Sequence, residues 1–135
     1  MSGRAEAAPI FHLSFPVRDL DEAIAFYTDL GGVVGRRETA WADVELFGAQ
    51  LTLQQVPEDV LQPMPRSRHF GATLPWQEWE KLIAQLGGFV EGPRIDYGNT
   101  EREQAKAMIA DPSGNLIELK TYRNPSFVLG SLASG

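Results

Sequence analysis

The sequence predicts an α+β fold built from two similar modules in tandem, each a strand, a helix and about three further strands. Two observations support this prediction. The segments that begin at His12 and at His69 both run through a short apolar strand, a polar helix start and an amphipathic helix to Leu-Gly-Gly. Further along, Gly48-Ala-Gln-Leu-Thr-Leu aligns without a gap with Gly114-Asn-Leu-Ile-Glu-Leu. Agreement at both ends of each half favours an internal duplication.

The first helix has clear start and stop signals. Asp19 is a typical N-cap residue, and Glu22 follows at the spacing of a capping box. Gly31-Gly32 is a typical end for the helix. Between these signals, apolar residues recur at helical spacing, namely Leu20, Ala23, Ile24, Tyr27 and Leu30.

The second helix is predicted between Pro75 and Gly87-Gly88. Its apolar stripe consists of Trp76, Trp79, Leu82, Ile83 and Leu86. Tryptophans at this spacing are more typical of a helix face packed into a core than of a ligand-binding site. We therefore expect both to be core residues.

Each module is expected to end in a hairpin. The paired strands are Ala42–Phe47 with Leu51–Gln55 around Gly48, and Ala107–Ala110 with Leu116–Tyr122 around residues 111–115. Residues 101–110 have a helix-forming composition, but the repeat predicts a strand over their later half. We follow the repeat because tertiary context overrides propensity.

The 135 residues are expected to form a single domain. Within it we expect module one over about 9–56, a proline-containing linker at 57–67, module two over about 68–124 and a loose tail at 125–135.

Composition excludes several functional classes. The chain has no cysteine, which removes disulfides, thiol nucleophiles and iron–sulfur clusters, and its net charge of −6 argues against nucleic acid or anionic membrane as a partner. It has neither an evident signal peptide over Met1–Pro9 nor an apolar run of about 20 residues. We expect a cytoplasmic, soluble domain, in which a metal site would draw on two histidines and carboxylates.

Strand alternation places both histidines on polar strand faces. His12 and His69 occupy equivalent positions in the two modules, and Glu118 lies mid-strand between apolar neighbours. A single strand histidine is more often hydrogen-bonded than metal-bound, and a single glutamate is usually solvated. Together, however, two imidazoles and one carboxylate suit Fe(II) and related metals. No local motif decides between these interpretations.

Three segments resemble a known family. The stretch from His12 to Gly32 resembles the first unit of the vicinal oxygen chelate superfamily, and Asp111-Pro-Ser-Gly-Asn-Leu-Ile-Glu-Leu resembles its last hairpin. Through Arg68-His-Phe-Gly-Ala-Thr-Leu-Pro-Trp the chain is also similar to short extradiol-dioxygenase-type members. The resemblance covers about residues 9–124. It implies a glyoxalase-like fold, with two βαβββ modules whose curved mixed sheets enclose a metal cavity.

Carried over by position, the resemblance makes His12, His69 and Glu118 the metal ligands. It implies a divalent metal, with Fe(II) expected and Mn(II), Zn(II) or Ni(II) as alternatives. Glyoxalase I has a fourth ligand where Thr52 stands here, and threonine is a poor ligand for such metals. Three ligands are typical of the ring-cleaving and fosfomycin-type members instead.

The expected acid–base residues differ from those of ring-cleaving relatives. Gln54 stands where these enzymes have a histidine, and Met108 stands roughly where they have a tyrosine. We expect Gln54 to hydrogen-bond the substrate or bound oxygen. Tyr122 is the other predicted catalytic residue, and Tyr97 and Lys120 are possible substitutes. Trp41, Phe47 and Tyr122 are candidates for packing against a substrate ring, although each could equally be core.

The resemblance therefore implies a metal-dependent enzyme, expected to be an extradiol-type dioxygenase acting on a small catechol-like substrate. The alternatives are glyoxalase, lyase, isomerase or fosfomycin-type transferase chemistry, or a metal-free small-molecule binding protein of the bleomycin type. A fosfomycin-type transferase would need basic residues to bind the phosphonate of its substrate. Arg94 and Arg102, which precede Lys106 in the chain, are the candidates. Relatives of this length commonly dimerise, so we expect a homodimer, with the metal site formed within one chain or across two.

Overall fold

The computed structural model describes residues 8–129, which form two compact units divided between Leu61 and Gln62. The first unit contains β1 (His12–Val17), α1 (Leu20–Asp29), β2 (Val33–Arg37), β3 (Trp41–Leu46), β4 (Ala49–Gln55) and a short 3-10 helix (Glu58–Val60). The second contains β5 (Phe70–Thr73), α2 (Trp76–Gln85), β6 (Glu91–Asp96), β7 (Gln104–Ala110), β8 (Leu116–Tyr122) and α3 (Ser126–Leu129).

The two units share one sheet topology. Their strand orders are β1-β4-β3-β2 and β5-β8-β7-β6, with the first and last strands parallel and the other pairs antiparallel. The register also shifts at equivalent places, between Val34 and Arg37 in one sheet and between Glu91 and Arg94 in the other. The predicted α+β fold of two βαβββ modules is therefore confirmed.

Helix α1 begins at the predicted cap. The Asp19 carboxylate accepts a hydrogen bond of 2.8 Å from the backbone N–H of Glu22. The reciprocal half of the capping box is absent, because the Glu22 carboxylate instead pairs with Arg18 at 2.8 Å. Gly31, with a φ of +107°, takes the chain out of the helix in a left-handed conformation that favours glycine. The helix buries Leu20, Ala23, Tyr27 and Leu30.

Helix α2 packs on β8 through one of its two tryptophans. Trp79 is only 6% exposed, and its indole N–H donates a hydrogen bond of 2.7 Å to the carbonyl of Leu119. This confirms the core role predicted for Trp79. Trp76 is partly exposed, so the prediction that it is core is wrong. It lies in the first turn of α2, where its ring stacks against the guanidinium of Arg123 at 3.7 Å.

The hairpins match the repeat. Strand β7 covers the later half of residues 101–110, as expected. The β7–β8 turn is organised by Asp111, whose carboxylate accepts hydrogen bonds from the backbone N–H groups of Ser113 and Asn115. Phe47 does not end β3 as predicted. It has a φ of +53° and forms the turn with Gly48 at +79°, because a two-residue hairpin turn that matches strand twist needs positive φ at both positions.

Two predicted irregular segments contain structure. The short 3-10 helix lies within the predicted linker, and α3 lies within the predicted loose tail. Residues 1–7 and 130–135 lie outside the described residues, so the expected absence of a signal peptide and the end of the tail remain predictions. No helix in residues 8–129 is long and apolar enough to cross a membrane.

Candidate functional site

The second unit presents Glu118 and Lys120 on the face of its sheet opposite α2. Ile117 and Leu119 are fully buried on the helix side of β8, whereas Glu118 and Lys120, which alternate with them, stay partly exposed. The placement of Glu118 on the polar face therefore agrees with the alternation read from the sequence.

His69 and Glu118 lie side by side on this face. The Nε2 atom of His69 is 3.6 Å from Oε1 of Glu118. The other ring nitrogen, Nδ1, is 3.0 Å from the carbonyl oxygen of Arg66. A carbonyl only accepts, so this hydrogen bond places a proton on Nδ1, and in the neutral ring the lone pair of Nε2 is then directed at the carboxylate. This is the tautomer in which a histidine binds a metal through Nε2 with its second nitrogen held in place.

Gly71 permits the close approach of the two backbone segments that carry these side chains. It pairs in register with Glu118 across the parallel β5–β8 ladder. A Cβ atom at residue 71 would lie 1.8 Å from the Glu118 carbonyl oxygen, so only glycine allows the two backbones this approach. Sequence reasoning did not single out Gly71, because the contact joins residues that are distant in the chain.

The segment before His69 is fixed to the β7–β8 turn. The Met64 N–H donates to the carbonyl of Gly114 at 3.1 Å, and the Leu116 N–H lies 3.4 Å from the Met64 sulfur. The guanidinium of Arg66 pairs with Glu91, while its carbonyl holds the His69 ring. The segment that leads to His69 is thereby anchored, and the ring of His69 is held by the Arg66 carbonyl.

Positive side chains surround Glu118. Lys120 Nζ is 3.8 Å from Glu118 Oε1, the same oxygen that faces His69. Arg94 and Lys106 line a small cavity together with Glu91 and Glu118. A charged lysine at this distance stabilises the free carboxylate, and it competes with any cation that binds there.

In the first unit, His12 and Gln54 also lie on one face of their sheet. The Nδ1 atom of His12 is 3.2 Å from the carbonyl oxygen of Gln50. Gln54 is paired in register with Pro16, and its amide donates a hydrogen bond of 2.6 Å to the hydroxyl of Ser14. Gln54 therefore has a fixed orientation, and its carbonyl oxygen is the end not used in this bond.

Asp43 is a polar residue that sequence reasoning missed. It is 5% exposed and accepts hydrogen bonds from Thr52 Oγ1 at 2.7 Å, Arg36 Nε at 2.7 Å and Gln50 Nε2 at 3.3 Å. Burial alone would raise the pKa of the Asp43 carboxyl, but these hydrogen bonds and the charge of Arg36 outweigh it and lower the pKa below its ordinary value. The Thr52 hydroxyl is thus engaged with Asp43.

The remaining candidates are dispersed. Tyr122 lies at the end of β8, with its ring centroid 5.5 Å from Lys120 Nζ. Met108 is opposite Glu118 in the β7–β8 register and is buried. Trp41 packs under the Arg36 guanidinium, while Phe47 and Tyr97 are exposed in turns with positive φ.

The pair of His69 and Glu118 fits two ligands of one divalent ion. Metal–ligand bonds of about 2.1 Å at a tetrahedral angle put two donor atoms about 3.4 Å apart, and the observed separation is 3.6 Å. Within residues 8–129, no group of three or more histidine, aspartate and glutamate side chains is placed to hold a metal. The structure thus brings together two of the three predicted ligands, and His12 belongs to the other unit.

The comparisons with known proteins agree with this architecture. The model of the Glyoxalase/Bleomycin resistance protein/Dioxygenase superfamily matches residues 10–119. A glyoxalase/bleomycin resistance protein/dioxygenase from Alicyclobacillus acidocaldarius is 33% identical, with a TM-score of 0.72 over 86% of this chain and 92% of its own. No curated protein matches the chain.

Two more distant structures share the fold. A glyoxalase/dioxygenase from Nostoc punctiforme is 16% identical, with a TM-score of 0.66 over 86% of this chain and 92% of its own. The genomically encoded fosfomycin resistance protein FosX from Listeria monocytogenes is 18% identical, with a TM-score of 0.63 over 85% of this chain and 93% of its own.

Proposed function

Since the chain belongs to the glyoxalase/bleomycin resistance protein/dioxygenase superfamily, whose members commonly use divalent metals, we propose that it is a metal-dependent enzyme of the vicinal oxygen chelate type. Its substrate is a small molecule with two adjacent oxygens. The proposed ligands are His69 and Glu118 from the second unit and His12 from the first. Fe(II) is the proposed metal, with Mn(II), Zn(II) and Ni(II) as the alternatives.

One observation carries the proposal. His69 Nε2 faces Glu118 Oε1 at 3.6 Å while His69 Nδ1 is held by the Arg66 carbonyl. The arrangement supports a metal pair because the Arg66 carbonyl holds the His69 ring, and among the described residues of this unit Glu118 is the partner given for Nε2.

The chain's own residues would bind and orient the substrate. A divalent ion held by the ligands would polarise the two adjacent substrate oxygens. The ammonium of Lys120 would stabilise negative charge on a substrate oxygen near Glu118. The Gln54 amide, fixed by Ser14, would accept a hydrogen bond from the substrate through its carbonyl, while the Tyr122 hydroxyl would offer a further donor.

Within this class we propose extradiol-type ring cleavage of a catechol-like substrate as the reaction. Three ligands rather than four support it, since Thr52 donates its hydroxyl to Asp43 at the position of the fourth ligand. With both histidines as ligands, no imidazole remains in this chain for proton transfer. Lys120 and polar groups, rather than a histidine, would then stabilise charge on the substrate.

A second candidate has an observation of its own. Arg94, Lys106 and Lys120 all line cavities beside Glu118, which would suit a substrate with an anionic group such as a phosphonate or carboxylate. This favours lyase or transferase chemistry of the fosfomycin type. A metal-free binding protein is the third possibility, in which Lys120 would remain paired with Glu118.

Metal analysis and titration test the class. The purified protein is titrated anaerobically with Fe(II), Mn(II), Ni(II) and Zn(II) by calorimetry. We expect one site per chain, and His69→Ala and Glu118→Gln should each weaken it by about tenfold or more. Glu45→Gln, an exposed residue of β3, is the matched control. Absence of binding by every metal would contradict the enzyme proposal.

Activity tests separate the reactions. The Fe(II)-loaded protein is incubated with a panel of substituted catechols under O₂, and ring-opened yellow products are followed by absorbance. Cleavage of any member supports the dioxygenase. If no member reacts, the same protein is tested with phosphonate epoxides and a thiol, and turnover there would favour the transferase.

A further inference from the structure

A second groove adjoins the His69–Glu118 pair in the second unit. The groove beside the pair has a volume of about 230 Å³, and His69, Gly71, Thr73, Glu118 and Lys120 line it. The second, here named the tail groove, has a volume of about 350 Å³ and is lined chiefly by Thr73, Leu74, Trp76, Tyr122, Arg123 and Val128. Thr73 lines both, so the two grooves adjoin at this residue.

The tail groove is apolar and is walled by aromatic rings. Trp76 and Tyr122 contribute rings, and Leu74 and Val128 contribute aliphatic side chains. Among the described residues that line it, Arg123 is the one that carries a charge. That charge is already balanced, because Arg123 Nε donates to Glu103 at 2.9 Å and the guanidinium lies 3.7 Å above the Trp76 ring.

Hydrogen bonds hold the backbone around the tail groove. The Leu74 N–H donates to the Lys120 carbonyl at 2.8 Å, and the Thr121 hydroxyl donates to the Leu74 carbonyl at 2.6 Å. The Arg123 N–H donates to the Glu103 carbonyl at 2.9 Å. Small-molecule sites are typically of this kind, being apolar, preformed and a few hundred Å³ in volume.

A ligand held at Glu118 would reach this groove along one strand face. Glu118, Lys120 and Tyr122 lie on the same side of β8, because side chains two residues apart in a strand share a face. The Lys120 ammonium lies 5.5 Å from the Tyr122 ring centroid. The order along β8 is therefore carboxylate, cation and aromatic ring. This order matches a molecule with an oxygen-rich head, negative charge near the head and an apolar end.

We propose that the substrate carries a branched aliphatic or aromatic substituent that occupies the tail groove, with Trp76 and Val128 as its specificity-determining residues. The inference rests on the proposed function, since the head of that substrate is the vicinal-oxygen group placed at His69 and Glu118. We assign the tail groove to this substituent and not to a protein segment.

The test compares catechol with 4-tert-butylcatechol on protein loaded with redox-inert Zn(II), under argon, by calorimetry. We expect the tert-butyl compound to bind at least about tenfold more tightly, because its extra carbons leave water for an apolar groove. Equal affinities for the two compounds would overturn the inference and leave the proposed function intact. Failure of both to bind would count against the proposed function.

A matched pair of variants locates the effect. Val128→Trp fills the tail groove and should abolish the tenfold preference while leaving catechol affinity within about twofold. Val90→Trp adds the same side chain at an exposed position of the same unit that does not line the groove, and should keep the preference. Trp76→Leu is the second variant, and should reduce the preference by enlarging the groove. A preference that survives both groove variants would overturn the inference.

A probe without the vicinal oxygens tests the groove apart from the metal. On metal-free, full-length protein we expect 4-tert-butylphenol to shift the NMR signals of the Trp76 indole N–H and the Val128 methyl groups and to leave the Val90 methyl groups unchanged. A groove closed by a second copy of the chain, or by the chain's own terminal residues, would give no shift. That result would overturn the inference.

Discussion

The backbone of Gly71 approaches Glu118 so closely that a Cβ atom at residue 71 would lie 1.8 Å from the Glu118 carbonyl oxygen. The two residues are partners in the parallel β5–β8 ladder, and His69 precedes β5 by one residue. The ladder therefore brings the backbones that carry His69 and Glu118 close together, and their side chains meet at 3.6 Å. Glycine is required at residue 71 because a side chain would clash with Glu118, and not because of its backbone φ.

Gly71→Ala should consequently harm both stability and metal binding. The added methyl group must push β5 away from β8, which we expect to cost about 1–3 kcal/mol of unfolding free energy. The same displacement moves His69, so the affinity for Zn(II) should fall. Urea unfolding and calorimetric titration measure the two effects. Gly87→Ala, where an added Cβ meets nothing within 4 Å, should change neither.

Asp43 should contribute stability that depends on pH. Its pKa is lowered in the folded protein, so its contribution is present above the ordinary aspartate value and is lost as pH falls through the lower, folded value. Asp43→Asn should therefore reduce the unfolding free energy by about 1–3 kcal/mol at pH 7. The difference from the wild type should shrink as the pH approaches 2.

Urea unfolding at several pH values between 7 and 2 checks this prediction. Glu45→Gln changes an exposed carboxylate of the same strand and should leave the pH dependence unchanged. A difference between Asp43→Asn and the wild type that stayed constant down to pH 2 would mean that ionisation of Asp43 is not the source of its effect.

Lys120 should oppose metal binding and favour substrate binding. Its ammonium lies 3.8 Å from the Glu118 oxygen that faces His69, so a cation bound there must approach a fixed positive charge. Lys120→Met, which keeps the length of the side chain, should raise Zn(II) affinity several-fold and weaken the binding of anionic substrates to the loaded protein. Lys81→Met, on the exposed side of α2, is the control. Unchanged affinities in Lys120→Met would refute the role given to this residue.

The sequence predicted those parts of the fold that depend on local or periodic signals. Asp19 marks the start of α1, and the alternation around Glu118 placed it opposite the helix. The strand predicted over Ala107–Ala110, which the structure extends back to Gln104, depended on the repeat, since the composition of residues 101–110 favours a helix. Phe47 was misplaced because its turn is set by backbone twist, which no side-chain pattern reports.

The missed features all join residues that are far apart in the chain. Asp43 is satisfied by Arg36 from β2 and by Thr52 from β4, so its own segment carries no sign of a buried carboxylate. Gly71 matters only because β8 lies beside it. The sequence named His69 and Glu118 through strand faces and resemblance, whereas the distance between them and the cation beside them required the folded sheet.

Mixing two inactive variants should reveal whether His12 and His69 act in one chain or in two. We predict a homodimer, which sedimentation should detect above the 14.9 kDa of one chain. If a site takes His12 from one protomer and His69 from its partner, then His12→Ala and His69→Ala chains can form hybrids with one intact site. Random exchange of protomers would restore up to about a quarter of the tight Zn(II) sites.

The alternative gives the opposite result. If each site uses both histidines of one chain, every chain in the mixture lacks a ligand and no tight binding returns, however long the exchange lasts. Co-unfolding and refolding the two variants ensures exchange, and wild type mixed with His69→Ala gives the calibration. Restoration above the average of the two separate variants would assign the site to two chains. A protein that sediments as a monomer would refute the dimer and leave the single-chain site.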